Sequence, residues 1–219
     1  MANLLVLFTS LKVSVVVASL ASICIYKFAS PLIGVWLGNE YILGNTTVAF
    51  VAIISGLTIT RGIIDQFIHG NGLYGDTWAP YVESAITLAV SLICGSLWGL
   101  IGVLCGSLTS ITIIIYIWKP YSLFSKGFKL PILMYWKPFA INISASSVAF
   151  ITTDYIYDKF IQENITTSNW FGLIISGIIY VIMITPITAI VYYAISDGFK
   201  DFMHRNKLFK KLNTNDTAS

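Results

Sequence analysis

Arg61, Asp65 and His69 recur every fourth residue inside an apolar stretch that runs from Val48 to Ile68 and just beyond it. On a helix that spacing stacks the three side chains on one face over about 12 Å and sets Arg61 about 20 Å in from Val48. An arginine at membrane depth costs roughly 2.5–3.5 kcal/mol on insertion scales, so it must face another helix, a water-filled cavity or a ligand. A guanidinium is a forked donor suited to phosphate and carboxylate oxygens, and one reading is therefore an anionic, membrane-embedded ligand. The other is a structural bridge, because Asp65 stands at the i+4 position from Arg61. His69 could snorkel to the interface under either reading. Chemistry on a covalent bond is not indicated. The chain has no phosphate-binding glycine loop, no Cys-x-x-Cys, no nucleophile elbow and no paired zinc-ligand histidines, His69 and His204 being its two histidines. No catalytic residue, metal ligand or cofactor is assigned.

The elements that must position these residues follow from composition. With 56% hydrophobic and 11% charged residues the chain reads as an all-α integral membrane protein. Six apolar stretches approach bilayer length: residues 4–28, 48–68, 81–97, 99–118, 139–157 and 170–195. Together they make a bundle over residues 1–196, followed by a tail, 197–219. The first stretch is a retained helix and not a signal peptide, since no positive charge precedes it and Lys12 interrupts it. Cys24, Cys94 and Cys105 fall inside spans as free thiols. Gly95 and Gly99 bound a turn short enough to force an antiparallel hairpin, and Gly102, Gly106 and Ser110 continue a face of small residues along the next helix.

Lys119, Lys126, Lys129 and Lys137 crowd one connection, and Lys200, Arg205, Lys207, Lys210 and Lys211 crowd the tail. Both are expected in the cytoplasm, with both termini there and the loops Ala29–Thr47 and Asp158–Asn169 outside. The net charge of +3 thus reports topology, and no nucleic-acid surface is implied. Lys27, at the outer end of the first span, is expected to snorkel outward. Trp118-Lys-Pro120 and Trp136-Lys-Pro138 read as interface anchors, and Tyr121–Tyr135 between them as a stretch lying along the membrane surface. Glu83 reads as a helix-start residue favoured by the helix dipole. Asn142, Ser146 and Thr153 share a polar face of the fifth span, a packing stripe or a wall for sugar hydroxyls. The tail carries Phe199, Phe202, Met203 and Phe209 at helical intervals opposite its basic residues, as in a surface-bound amphipathic helix with a disordered end.

Three stretches in order carry a resemblance: SPLIGVWLGNEY from Ser30 to Tyr41, GNGLYGDTWAPYVESAITLAVSLICGSLWGLIGVLCGSL from Gly70 to Leu108, and IWKPYSLFSKGFKLP from Ile117 to Pro131. Over roughly Ser30–Pro138 the chain resembles the C-terminal half of bacterial polysaccharide-repeat-unit flippases, the O-antigen and capsule exporters of the Bacteroides kind, within the multidrug/oligosaccharidyl-lipid/polysaccharide exporter superfamily. The resemblance implies a six-helix lobe that rocks against a second lobe around a central cavity in the cytoplasmic (inner) membrane. The cargo it implies is an undecaprenyl-pyrophosphate-linked oligosaccharide, moved across for surface polysaccharide synthesis with no bond made. Arg61 would meet the pyrophosphate. Asp65 would hold the empty guanidinium or a coupling ion, His69 and Lys12 would form a basic entrance, and Asn142 would line the sugar path. The chain would work with a separately encoded N-terminal lobe or a second copy, among membrane lipids, or be a truncated product. Drug export within the same superfamily and a membrane-embedded acyl- or glycosyltransferase are the alternatives.

Overall fold

The computed structural model describes residues 2–73, 75, 77–159 and 169–195, and all regular structure among them is helical. Helix α1 runs over Ala2–Trp36 and is followed by a 3₁₀ turn at Asn39–Tyr41. Then come α2 over Asn45–Gly70, α3 over Ala79–Trp98 and α4 over Leu100–Ser110. The last of these continues without a break through a π-helix at Ile111–Trp118, the short α5 at Lys119–Ser122 and a second π-helix at Leu123–Phe128. Two long helices remain, α6 over Leu133–Tyr157 and α7 over Trp170–Ile195.

Five of these helical rods are long and apolar enough to cross a membrane: Val6–Trp36, Asn45–Gly70, Ala79–Trp98, Leu100–Phe128 and Trp170–Val191. A helix stands at each of the six expected spans, but α6 falls short in apolarity. Its length of 25 residues suffices. Asn142, Ser144, Ser146, Ser147, Thr152, Thr153 and Asp154 dilute its hydrocarbon.

Several boundaries differ from the sequence expectation, among them the start of α6, which lies at Leu133 and not Phe139 and leaves Pro138 inside the helix. The first span does not stop at Phe28, because α1 carries Pro31 in its interior and continues to Trp36, which shortens the expected loop. Proline removes one backbone bond, and a long apolar helix tolerates that loss when its neighbours hold it. The stretch Tyr121–Tyr135 does not lie along a surface. Leu123 and Phe124 are each 1% exposed and pack with Leu7, Leu11, Ile64, Ile68 and Tyr135, while Lys126 and Lys129 stay outside. The mixture of apolar and basic residues read as a membrane-surface helix is instead one rod with an inner and an outer face. That rod ends where Lys129 takes a left-handed conformation, φ 54°, and Leu130 N–H donates back to the Phe124 carbonyl at 2.9 Å.

Close contacts set the packing order. Helices α1 and α2 are antiparallel, with Leu7 and Leu11 beside Ile64 and Ile68 and Ser14 beside the Ile59 carbonyl. Gly56 sits close against α1 there: a Cβ on it would come within 2.2 Å of Ser22 Oγ, which would have to turn aside. Helices α3 and α4 form the expected tight hairpin around Gly99, whose φ of 58° suits glycine. A Cβ on Gly102 would fall 1.9 Å from the Cys94 carbonyl oxygen, so the two backbones touch. Helix α6 runs parallel to α1: the step from Ser19 to Lys27 matches that from Ser146 to Asp154, and each pair is in contact at 2.9 and 2.7 Å. Helix α7 packs back across α1 through Phe28 and Tyr180, ring centroids 5.4 Å apart. The amphipathic tail expected over 197–219 and most of the expected loop Asp158–Asn169 lie outside the described residues.

Candidate functional site

The α2 span carries its charge where the i, i+4 spacing placed it, and the local Arg61–Asp65 pair forms, but it is the longer of the contacts that Arg61 makes. Arg61 Nη1 donates to Glu83 Oε1 of α3 at 2.6 Å, whereas its Nε reaches Asp65 Oδ2 only at 3.4 Å. Asp65 is held instead by the ammonium of Lys119, through its other oxygen. The arrangement is a chain, Glu83–Arg61–Asp65–Lys119, drawn from three helical rods, and its two cations and two carboxylates cancel in formal charge. Lys119 is 8% exposed, so the interface-anchor expectation for its Trp-Lys-Pro motif is corrected. A lysine that far into the packing requires a counter-charge, and Asp65 supplies it. Glu83 is corrected likewise: α3 begins at Ala79 and has no acidic residue in its first turn, and the Glu83 carboxylate is instead the principal contact of Arg61.

Local structure explains how these side chains meet. Lys119 follows the π-helix Ile111–Trp118 directly, and the wider turn of that helix shifts the face it presents. The π-segment buries Tyr116, whose hydroxyl donates to the Leu57 carbonyl at 2.9 Å and meets the Thr60 hydroxyl. Tyr116 and Lys119 therefore engage α2 one turn apart, opposite Thr60 and Asp65 respectively. On α3, Glu83, Thr87 and Ser91 repeat every fourth residue, and Thr87 and Ser91 bind Ser110 Oγ and the Val103 carbonyl at 2.6 and 3.0 Å. That hydrogen bonding ties α3 to α4 and turns Glu83 toward α2.

Two spaces adjoin these residues. A groove of about 530 Å³ opens between α2 and α3, lined by Arg61, Glu83, Pro80, Ser84, Thr87, Leu88 and Ser91. It exposes both a cation and an anion between two helices that are long and apolar enough to cross a membrane. A second cavity of about 320 Å³ lies among α1, α2, the π-helix and α6, where Ser19, Ser22, Thr60, Tyr116, Ser146 and Ser147 interrupt an apolar wall. No charged residue lines it.

Of the residues singled out in the sequence, Arg61 and Asp65 are brought together. His69 is exposed in the last turn of α2. Lys12 is half-buried on α1 beside Leu11, which shares a core cluster with Ile64 and Ile68, so it stands at the level of the Asp65 turn. Asn142 belongs elsewhere: it is 3% exposed on α6, one turn before the Ser146 that meets Ser19. It lies on the α1–α6 seam rather than beside Arg61. Lys27 does not snorkel. Its ammonium sits 2.7 Å from Asp154 and 2.6 Å from Asp158 and over the Tyr157 ring at 5.4 Å, which fastens α1 to α6 at the end away from the Leu7–Tyr135 cluster. Two carboxylates one turn apart attract an adjacent cation more strongly than a distant interface does.

No family model, curated protein or solved structure matches the chain. The flippase resemblance accordingly rests on the quoted residues alone.

Glu83 and Lys119 are the site residues that sequence reasoning missed. A signal for Glu83 was present in the four-residue repeat Glu83–Thr87–Ser91, a polar stripe in an apolar span. For Lys119 none was, because a lysine ending a span beside tryptophan and proline is what an interface anchor looks like. Chemically the groove offers a guanidinium that can accept an anion, with two carboxylates near enough to compete for it. Among the described residues no group of three histidine, cysteine or acidic side chains is placed to hold a metal ion.

Proposed function

We propose that the chain is one lobe of a membrane flippase for an anionic, undecaprenyl-pyrophosphate-linked oligosaccharide of surface polysaccharide synthesis, acting in the bacterial cytoplasmic membrane with a second lobe. The observation that carries this reading is the charged groove on the flank of the bundle. Arg61 and Glu83 retain 29% and 13% side-chain exposure inside segments apolar enough to span a bilayer. Facing lipid, an arginine there would cost roughly 2.5–3.5 kcal/mol, so the groove is better accounted for as half of a polar cavity that a second lobe completes. Arg61 then supplies the fork for pyrophosphate oxygens, and α6, the polar sixth helix, crosses the membrane with its stripe turned inward. The role is translocation and not bond chemistry.

The test is export. With the chain expressed beside its second lobe in a strain lacking its own flippase, Arg61→Ala should abolish surface polysaccharide while the protein still inserts and accumulates. Arg61→Lys should keep part of the activity, because the charge survives and the fork does not. Normal export by Arg61→Ala removes the site; loss of the protein itself favours a structural bridge.

A further inference from the structure

Arg61 is not an open cation. Its shortest contact is the Glu83 carboxylate at 2.6 Å, made across the α2–α3 gap by the nitrogen at the end of the fork, and Glu83 shares the groove with it. Asp65 is a poor substitute, being 3.4 Å from Nε and already committed to Lys119. An anion that engages the fork through Nη1 must therefore compete for it with Glu83. We propose that Glu83 is the counter-ion that an anionic head group displaces from Arg61, and that it thereby sets the affinity of the groove for that head group.

This rests on the flippase reading for the class of ligand, a phosphate-bearing head group, and it adds a residue and a direction. A partly buried charge-assisted bond is strong when formed and costly when left open, so an empty groove keeps Arg61 satisfied by Glu83 and a filled one exchanges one anion for another. The exchange explains why a groove meant for an anion carries a carboxylate: without Glu83 the head group would be held too tightly to leave, and a transporter must release what it binds. Thr87, one turn on from Glu83, bonds Ser110 of α4 and so ties the helix face that presents Glu83.

The competing account is that Glu83 merely positions Arg61. The two accounts predict opposite signs. The chain assembled with its second lobe in nanodiscs is titrated with inorganic pyrophosphate, without divalent cations, as wild type and as Glu83→Gln, Arg61→Ala and the double variant. Displacement predicts that Glu83→Gln binds about tenfold tighter than wild type, with the gain lost in the Arg61→Ala background. Glu83→Asp, which keeps the charge on a shorter arm, should give a smaller gain in the same direction and covers the case in which Glu83→Gln does not accumulate. Binding by wild type that is unchanged or weakened in both Glu83 variants overturns the proposal and leaves the flippase reading standing. Pyrophosphate binding that is absent, or indifferent to Arg61→Ala, overturns both.

Discussion

Asp65 shows how spacing reads one partner of a carboxylate, Arg61, and packing adds a second and closer one, Lys119. Taken as the i+4 counter-ion of Arg61, it would leave Arg61 unpaired on removal; bound to Lys119, it leaves a buried ammonium instead. Breaking a buried pair at one member costs about 3–5 kcal/mol, whereas replacing both members with apolar groups is close to neutral. The 26% exposure of the Asp65 side chain puts the expectation at the lower end of that range. Asp65→Asn is therefore expected to destabilise the protein by about 3 kcal/mol, and Asp65→Asn combined with Lys119→Met to recover most of the loss. Unfolding in detergent, followed by circular dichroism, measures both. If Asp65→Asn is neutral, Lys119 is not held by that carboxylate.

At the scale of elements, glycine marks where helices touch and where they do not. Gly102 and Gly106 sit under the α3 backbone, at built Cβ distances of 1.9 and 2.1 Å from Cys94 O and Ser91 Oγ. Gly62 of α2 has open space at the same position. Overpacking costs about 1–3 kcal/mol, and the Gly102 clash is with backbone, which cannot turn aside. Gly102→Ala is expected at the upper end of that range and Gly62→Ala to stabilise by about 0.5–1 kcal/mol through helix propensity. A Gly102→Ala protein as stable as wild type would mean that α3 and α4 are further apart. The lock at the far end of α1 belongs to this scale too. Lys27→Met removes two charge-assisted bonds from a half-exposed site, and a loss of about 1–2 kcal/mol is expected in the same assay.

For the whole molecule, packing sends the start of α1, the end of α2 and the close of the Leu100–Phe128 rod to one end of the bundle, where Leu7, Ile68 and Phe124 share a cluster. The start of α2 lies at the other end, because α2 runs antiparallel to α1. Ser125 and Asn45, both exposed, should therefore lie on opposite sides of a membrane. The excess of basic residues around Ser125 predicts that its side is the cytoplasmic one. In intact cells an impermeant thiol reagent should label Asn45→Cys and spare Ser125→Cys in a background without the three native cysteines. The reverse pattern would invert the molecule, and labelling of both would break the span count.

Local information in the sequence was enough for the class of fold and the places of its helices. Bilayer-length apolar runs can be helical or nothing, since a membrane leaves no backbone group unsatisfied, and the hairpin at Gly95–Gly99 needs only a count of residues. The helical face that holds Arg61 and Asp65 was equally legible, because 3.6 residues per turn is a property of the chain itself. Which charges answer one another was not. Glu83 lies 22 residues from Arg61 and Lys119 lies 54 from Asp65. Their meeting depends on the Gly102 contact that sets α3 on α4 and on the π-turns that rotate Tyr116 and Lys119 toward α2, both of them consequences of packing. The same holds for Lys27 and for the burial of Leu123 and Phe124. A sequence states how much charge a membrane segment carries; only the tertiary structure decides which neighbour neutralises it, because an ion pair is chosen by distance in space and local spacing offers just one of the candidates.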